Sequence, residues 1–134
     1  MKTLVLGNGA REHALAWAFS KSRRNTGLFC MPGNAGTEEL AVNIAGNPLD
    51  PASCVRTWKE CGADLVVIGP EGPLAAGVAD ALRAEGALVF GPGKEAARLE
   101  ASKAFARSFS DRASIRSART DRFASFPDFE TWLA

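Results

Sequence analysis

The stretch VLGNGAREHALAWAF, Val5 to Phe19, decides how the rest of the chain is read. A hydrophobic run ends in Gly7 and Gly9, and the charged triplet Arg11-Glu12-His13 follows. An apolar segment with helical spacing at Ala14, Trp17 and Ala18 completes it. This is the order strand, turn, helix.

The same grammar repeats along the chain. LVVIGPEG (65–72) and LVFGPG (88–93) end like LVLGNG (4–9), and LFCMPGNAG (28–36) also runs into a Pro-Gly turn. Each run is continuously apolar, as for strands covered on both faces. Helical spacing returns at Cys54, Val55, Trp58 and Cys61, and again at Val78, Ala81 and Leu82. With a weaker strand at Val42 to Ala45, the pattern predicts an α/β fold: an open parallel sheet of about five strands with helices on both faces. From Lys94 the spacing is helical, placing Ala97, Ala101, Ala104, Phe105 and Phe109 on one face. SDRASIRSARTDRFASF (110–126) has no sustained period, and Pro127 is placed to start a last short helix. The division predicted is a core unit at 1–109 and a connector with a short helix at 110–134.

Ligands of an open parallel sheet bind at the carboxyl ends of its strands. All four small-residue turns fall there: Gly7-Asn8-Gly9, Pro32 to Thr37, Gly69 to Gly72, and Gly91-Pro92-Gly93. Glycine admits close backbone approach, and N–H groups at a helix start attract anions. Together the turns predict a ligand crevice. The dinucleotide fingerprint nevertheless fails twice. Glu12 stands where the third glycine belongs, and the second strand ends in Cys30-Met31-Pro32 with no ribose-binding carboxylate. Arg11 can pair with a phosphate or carboxylate through two N–H groups. Glu12 complements a helix N-terminus with or without a ligand. His13, the single histidine, reads either as a packed, hydrogen-bonded residue or as a catalyst. Glu71, stiffened by Pro70 and Pro73, can accept hydrogen bonds from an amine or sugar hydroxyls, or serve structure alone.

Composition narrows the class. The 134 residues, 46% hydrophobic and 23% charged, fit one globular domain. A net charge of +1 argues against a dedicated nucleic-acid or anionic-membrane binder. No apolar run approaches the roughly 18 residues of a membrane helix, and MKTLVLGNG enters a strand without a signal-peptide core. A cytoplasmic protein is expected. Cys30, Cys54 and Cys61 are odd in number and form no CxxC pair, so buried core thiols are expected in place of zinc or disulfides. Arg107, Arg112, Arg116, Arg119 and Arg122 punctuate the connector region and read as a solvated strip, with no nucleic acid expected. Phe123, Phe126, Phe129, Trp132 and Leu133 are candidates for packing on a further domain.

GNGAREHALAW (7–17), PGNAGT (32–37), GPEGPLAAG (69–77) and FGPGKEAARLEASKAF (90–105) together resemble the N-terminal domain of the phosphoribosylamine–glycine ligases, or glycinamide ribonucleotide synthetases. The resemblance runs in order from Met1 to about Phe109. IRSARTDRFASFPDFETWLA (115–134) more loosely resembles the lead into the family's next domain. Ala10 stands where the family commonly has glycine, and Gly72 where it often has alanine; both are small-for-small changes.

The resemblance implies the biotin-carboxylase-like N-terminal fold that precedes an ATP-grasp domain. It implies a reaction joining 5-phosphoribosylamine to glycine in purine biosynthesis, with ATP and Mg²⁺ and through glycyl phosphate. By resemblance Gly9, Arg11, Glu12, Asn34, Gly36, Thr37, Pro70 and Glu71 face the phosphoribosyl substrate, and Lys103, in EASKAF, faces nucleotide phosphates. The family's lid and acidic Mg²⁺ ligands have no counterpart in these 134 residues, so no catalytic residue or metal ligand is assigned. The chain alone is expected to carry no cofactor and no ligase activity. A stand-alone phosphate-ligand module and an inactive interaction fragment are the alternatives.

Overall fold

The computed structural model describes residues 1–118 and 120–133. Five strands, β1 (Lys2–Gly7), β2 (Gly27–Pro32), β3 (Val42–Asn43), β4 (Leu65–Ile68) and β5 (Val89–Phe90), form one parallel sheet in the order β3-β2-β1-β4-β5. Between and after them run α1 (Ala10–Ser20), α2 (Ala35–Glu38), α3 (Pro51–Cys61), α4 (Glu71–Ala76), α5 (Val78–Ala84), α6 (Lys94–Ala101), α7 (Lys103–Arg112) and α8 (Phe126–Leu133).

Side-chain alternation splits the core into two layers. Leu4, Leu6, Met31, Val66 and Ile68 face α3, α4, α5 and α6 through Cys54, Leu74, Val78, Leu82 and Ala97. Val5, Leu28, Cys30 and Val67 face α1 through Leu15, Ala16 and Phe19. Both faces of the sheet are thus covered, which is why the strands read as unbroken apolar runs. Local chemistry starts and stops the helices. Asp50 accepts the Ala52 N–H at 3.0 Å to cap α3, Pro51 takes its first position, and Gly62 ends it with φ of 61°.

The structure shows which side of α1 is buried and corrects the single helical run read from Lys94. The buried side of α1 carries Glu12, Leu15, Ala16 and Phe19, whereas Ala14, Trp17 and Ala18 are exposed, Trp17 by 55%. The helix is apolar on both sides, so its spacing could not say which side faces the sheet. The segment from Lys94 is two helices. Ser102 is extended and its hydroxyl accepts the Phe105 N–H at 3.3 Å, closing α6 and capping α7. Ala97 is buried, but Ala101 and Phe109 are exposed.

The two predicted units meet inside a helix, since residue 109 falls within α7. Beyond that helix Arg107 binds the following segment back, donating to Ser117 Oγ at 2.8 Å and to the Ala118 carbonyl. Arg112, Arg116 and Arg122 are exposed, and Arg119 lies outside the described residues. Phe123, Phe126, Phe129 and Trp132 pack on one another with ring centroids 5.4–6.3 Å apart. Phe126, Trp132 and Leu133 stay 52–68% exposed. No described helix is long and apolar enough to cross a membrane.

Candidate functional site

Strand register brings the four turns to one edge. Gly7 lies opposite Pro32, Leu6 opposite Ile68, and Val67 opposite Phe90. Each turn therefore leaves the sheet at nearly the same height. The first crossover runs from β1 to β2 on one side, while β4 lies on the other side of β1. The order reverses between β1 and β4, the place where such sheets open a crevice.

Hydrogen bonds tie three of the turns into one body. Gly33 N–H donates to the Gly7 carbonyl at 3.2 Å. Asn34 Nδ2 donates to the Asn8 carbonyl at 2.9 Å and the Gly9 carbonyl at 3.3 Å. Arg11, exposed at the start of α1, reaches across and donates from Nη1 to the Gly69 carbonyl at 2.7 Å. That bond uses one of five guanidinium N–H groups and leaves an edge open to solvent. Gly9, Ala35 and Glu71 are exposed on the same rim, with Asn34, Gly36 and Pro70 half-buried beside them.

Two residues expected to face a ligand are turned inward. Glu12 is 3% exposed. Its Oε2 accepts the Gly9 N–H at 2.7 Å, while Oε1 is buried and has no hydrogen-bond partner among the described residues. Thr37 is fully buried. Its hydroxyl accepts the Asn34 N–H at 2.8 Å and donates to Asn43 Oδ1 at 2.7 Å, while Asn34 Oδ1 accepts the Thr37 N–H at 3.1 Å. Cys30 lies beneath this cluster. Burial pushes its thiol up; the Thr37 hydrogen bond pulls it down, and the charge of Glu12 adds a smaller upward push.

His13 leans over α2: a Cβ on Gly36 would sit 2.6 Å from its Cε1, so Gly36 makes room for the ring. The imidazole is exposed and lines a shallow groove of about 300 Å³ with Ala10, Ala14 and Trp17. Lys103 stands at the first position of α7, beside Arg107 and Thr120. A groove of about 640 Å³ runs between α3 and α5 and holds none of the expected site residues.

Sequence reasoning missed Asn43 and the Gly69 carbonyl. Asn43 joins the cluster by donating from Nδ2 to the Asn34 carbonyl at 2.9 Å. Its one signal was a polar residue ending a two-residue strand. A backbone acceptor such as Gly69 carries no sequence signal.

With this geometry in view, the chain can be set beside known proteins. Residues 1–100 match the family model described as "Phosphoribosylglycinamide synthetase, N domain". Phosphoribosylamine–glycine ligases are similar over most of the chain: 50% identity over 121 residues for that of Mycobacterium bovis and 52% over 120 for that of Streptomyces coelicolor. In both cases 90% of this chain and 29% of the relative are covered, so the chain spans under a third of the length of these relatives. The crystal structure of the phosphoribosylamine–glycine ligase from Thermotoga maritima superposes with a TM-score of 0.63 and 32% identity, covering 89% of this chain and 26% of that one. Saccharopine dehydrogenase from Saccharomyces cerevisiae shares the fold alone, at a TM-score of 0.54 and 13% identity. The parallel sheet, the turns along its carboxyl edge and the match over residues 1–100 agree: the chain belongs to the phosphoribosylglycinamide synthetase N-domain family.

Proposed function

We propose that the chain is the substrate-side part of an ATP-dependent carbon–nitrogen ligase that joins 5-phosphoribosylamine to glycine in purine biosynthesis, acting in the cytoplasm. The observation that carries this reading is the convergence of Gly9, Arg11, Asn34, Gly36, Pro70 and Glu71 on the β1–β4 edge in a member of this family. In this reading the open edge of the Arg11 guanidinium takes an anionic group of the substrate. Glu71, exposed at the start of α4, accepts hydrogen bonds from ribose hydroxyls or an amine. Glu12 and Thr37 act from below, holding the turns in place.

ATP would supply the phosphoryl group that activates the carboxylate of glycine. Among the described residues no three His, Cys, Asp or Glu side chains converge where a metal ion could sit. Within this chain Lys103 is assigned to nucleotide phosphates.

Titration calorimetry of the 134-residue chain with ribose 5-phosphate and with glycinamide ribonucleotide tests the proposal. Saturable heat is expected with at least one of them at millimolar concentration or below, and Arg11→Ala should weaken it about tenfold or more, the worth of one charge-assisted hydrogen bond. Absence of heat with both ligands, or an affinity indifferent to Arg11→Ala, would overturn it.

A further inference from the structure

The glycines of the β1 and β4 turns surround the carboxylate of Glu12. A Cβ on Gly69 would overlap Glu12 Oε1 and lie 2.8 Å from Cδ and 2.9 Å from Cγ; its three nearest neighbours all belong to Glu12. A Cβ on Gly9 would meet Oε2 at 2.9 Å and nothing else within 4 Å. On Gly7 it would lie 2.6 Å from Cγ and 2.8 Å from Cδ, and 3.0 Å from Pro70 Cδ. Gly7 also needs its glycine for a φ of +126°, but Gly9 and Gly69 have no such backbone demand. These are separations that real Cβ atoms do not show, and at positions 9 and 69 the nearest atoms belong to the Glu12 side chain, whose burial leaves it little room to give.

We infer that Glu12 is a positioning residue for the site, and that Gly9 and Gly69 are glycine to make room for its carboxylate and not for a ligand. From the third position of α1 the side chain folds back under its own helix start. It holds the β1 turn by accepting the Gly9 N–H at 2.7 Å, and it fills the space beneath the β4 turn. Arg11 closes the same joint from outside by donating to the Gly69 carbonyl at 2.7 Å. Gly69 is thus gripped by consecutive residues, one buried and one exposed. The Gly9 N–H and the charge at this helix start are already matched internally. Recognition of a substrate phosphate or hydroxyl therefore falls to the side chains on the rim, Arg11 and Glu71, whose spacing Glu12 sets.

A double-mutant cycle with thermal unfolding tests the cradle without any ligand. Gly69→Ala should lower the unfolding midpoint by about 10 °C, as overpacking does in a domain of this size. In the Glu12→Ala background the same change should cost about 3 °C or less, because the clashing atoms are gone. If Glu12→Ala does not fold, Glu12→Asp, which withdraws the carboxylate by one methylene, should relieve part of the Gly69→Ala cost. Additive effects in whichever background folds would overturn the inference.

The positioning role rests on the ligand site proposed above and is read by ribose 5-phosphate calorimetry on folded variants. Glu12→Ala should weaken binding about tenfold, and Glu12→Gln, which keeps the acceptor for Gly9, should recover most of that loss. Equal losses in both variants would mean that the charge of Glu12 meets the ligand itself, and an unaffected Glu12→Ala would remove its role; either result overturns the assignment. Absence of binding in the native chain would sink the proposed function, while the cycle would still judge the cradle.

Discussion

Thr37 and Cys54 show what complete burial does to polar and ionisable groups in this fold. Thr37 loses water on all sides and recovers its hydrogen bonds from Asn34 and Asn43, the minimum that a buried hydroxyl needs. Cys54, also fully buried, has its thiol pushed up to about 11 by burial first and by the charge of Asp50 second. The sign of the consequence follows by linkage. Below the ordinary thiol value of 9.0 both folded and unfolded states keep the proton, and this contribution to stability is fully present. As pH rises past it, the unfolded chain loses the proton first, and the contribution fades until the folded thiol also ionises near 11. Denaturant unfolding at pH 8.5 and pH 10.5 should therefore show a loss of at most about 2 kcal/mol that Cys54→Ala reduces. A loss identical in the two proteins would mean that Cys54 is not the group titrating.

Among the elements, α1 carries the largest difference between sequence and structure. Its Ala, Leu, Trp and Phe residues surround the whole cylinder, so two opposite sides qualified as core. The structure chooses Leu15, Ala16 and Phe19, which meet Val5, Leu28, Cys30 and Val67. Ala16 has no exposed surface, so Ala16→Leu should destabilise the fold by about 1–3 kcal/mol, whereas Trp17→Gln should stay within about 0.5 kcal/mol. Thermal or denaturant unfolding decides it, and the reverse order would contradict this orientation of α1. The strands were readable because burial on both faces demands unbroken apolar runs, and even the two-residue β3 left a trace at Val42. The break at Ser102 was written in the sequence as a serine three residues before Phe105, but the apolar spacing on either side masked it. The fold of Glu12 under its helix had no such trace. It depends on Gly69, 57 positions away in the chain, and only the sheet order brings the two together.

Taken as one body, the protein keeps a roomy groove apart from the edge where its turns meet. The groove between α3 and α5 is lined by Val55, Ala81 and Ala84, with Lys59 and Glu85 paired across it at 2.6 Å. The β1–β4 edge gathers Arg11, Asn34 and Glu71 from three turns and stands where the strand order reverses. Volume alone favours the groove. Topology, hydrogen bonding and family membership favour the edge. Amide chemical-shift mapping of the 134-residue chain titrated with ribose 5-phosphate separates them. The largest shifts are expected at Gly9, Ala10, Arg11, Ala35, Gly36 and Glu71, with Val55, Lys59, Ala81 and Ala84 unmoved. Shifts centred on those α3 and α5 residues, or a spectrum that ligand leaves untouched, would contradict it.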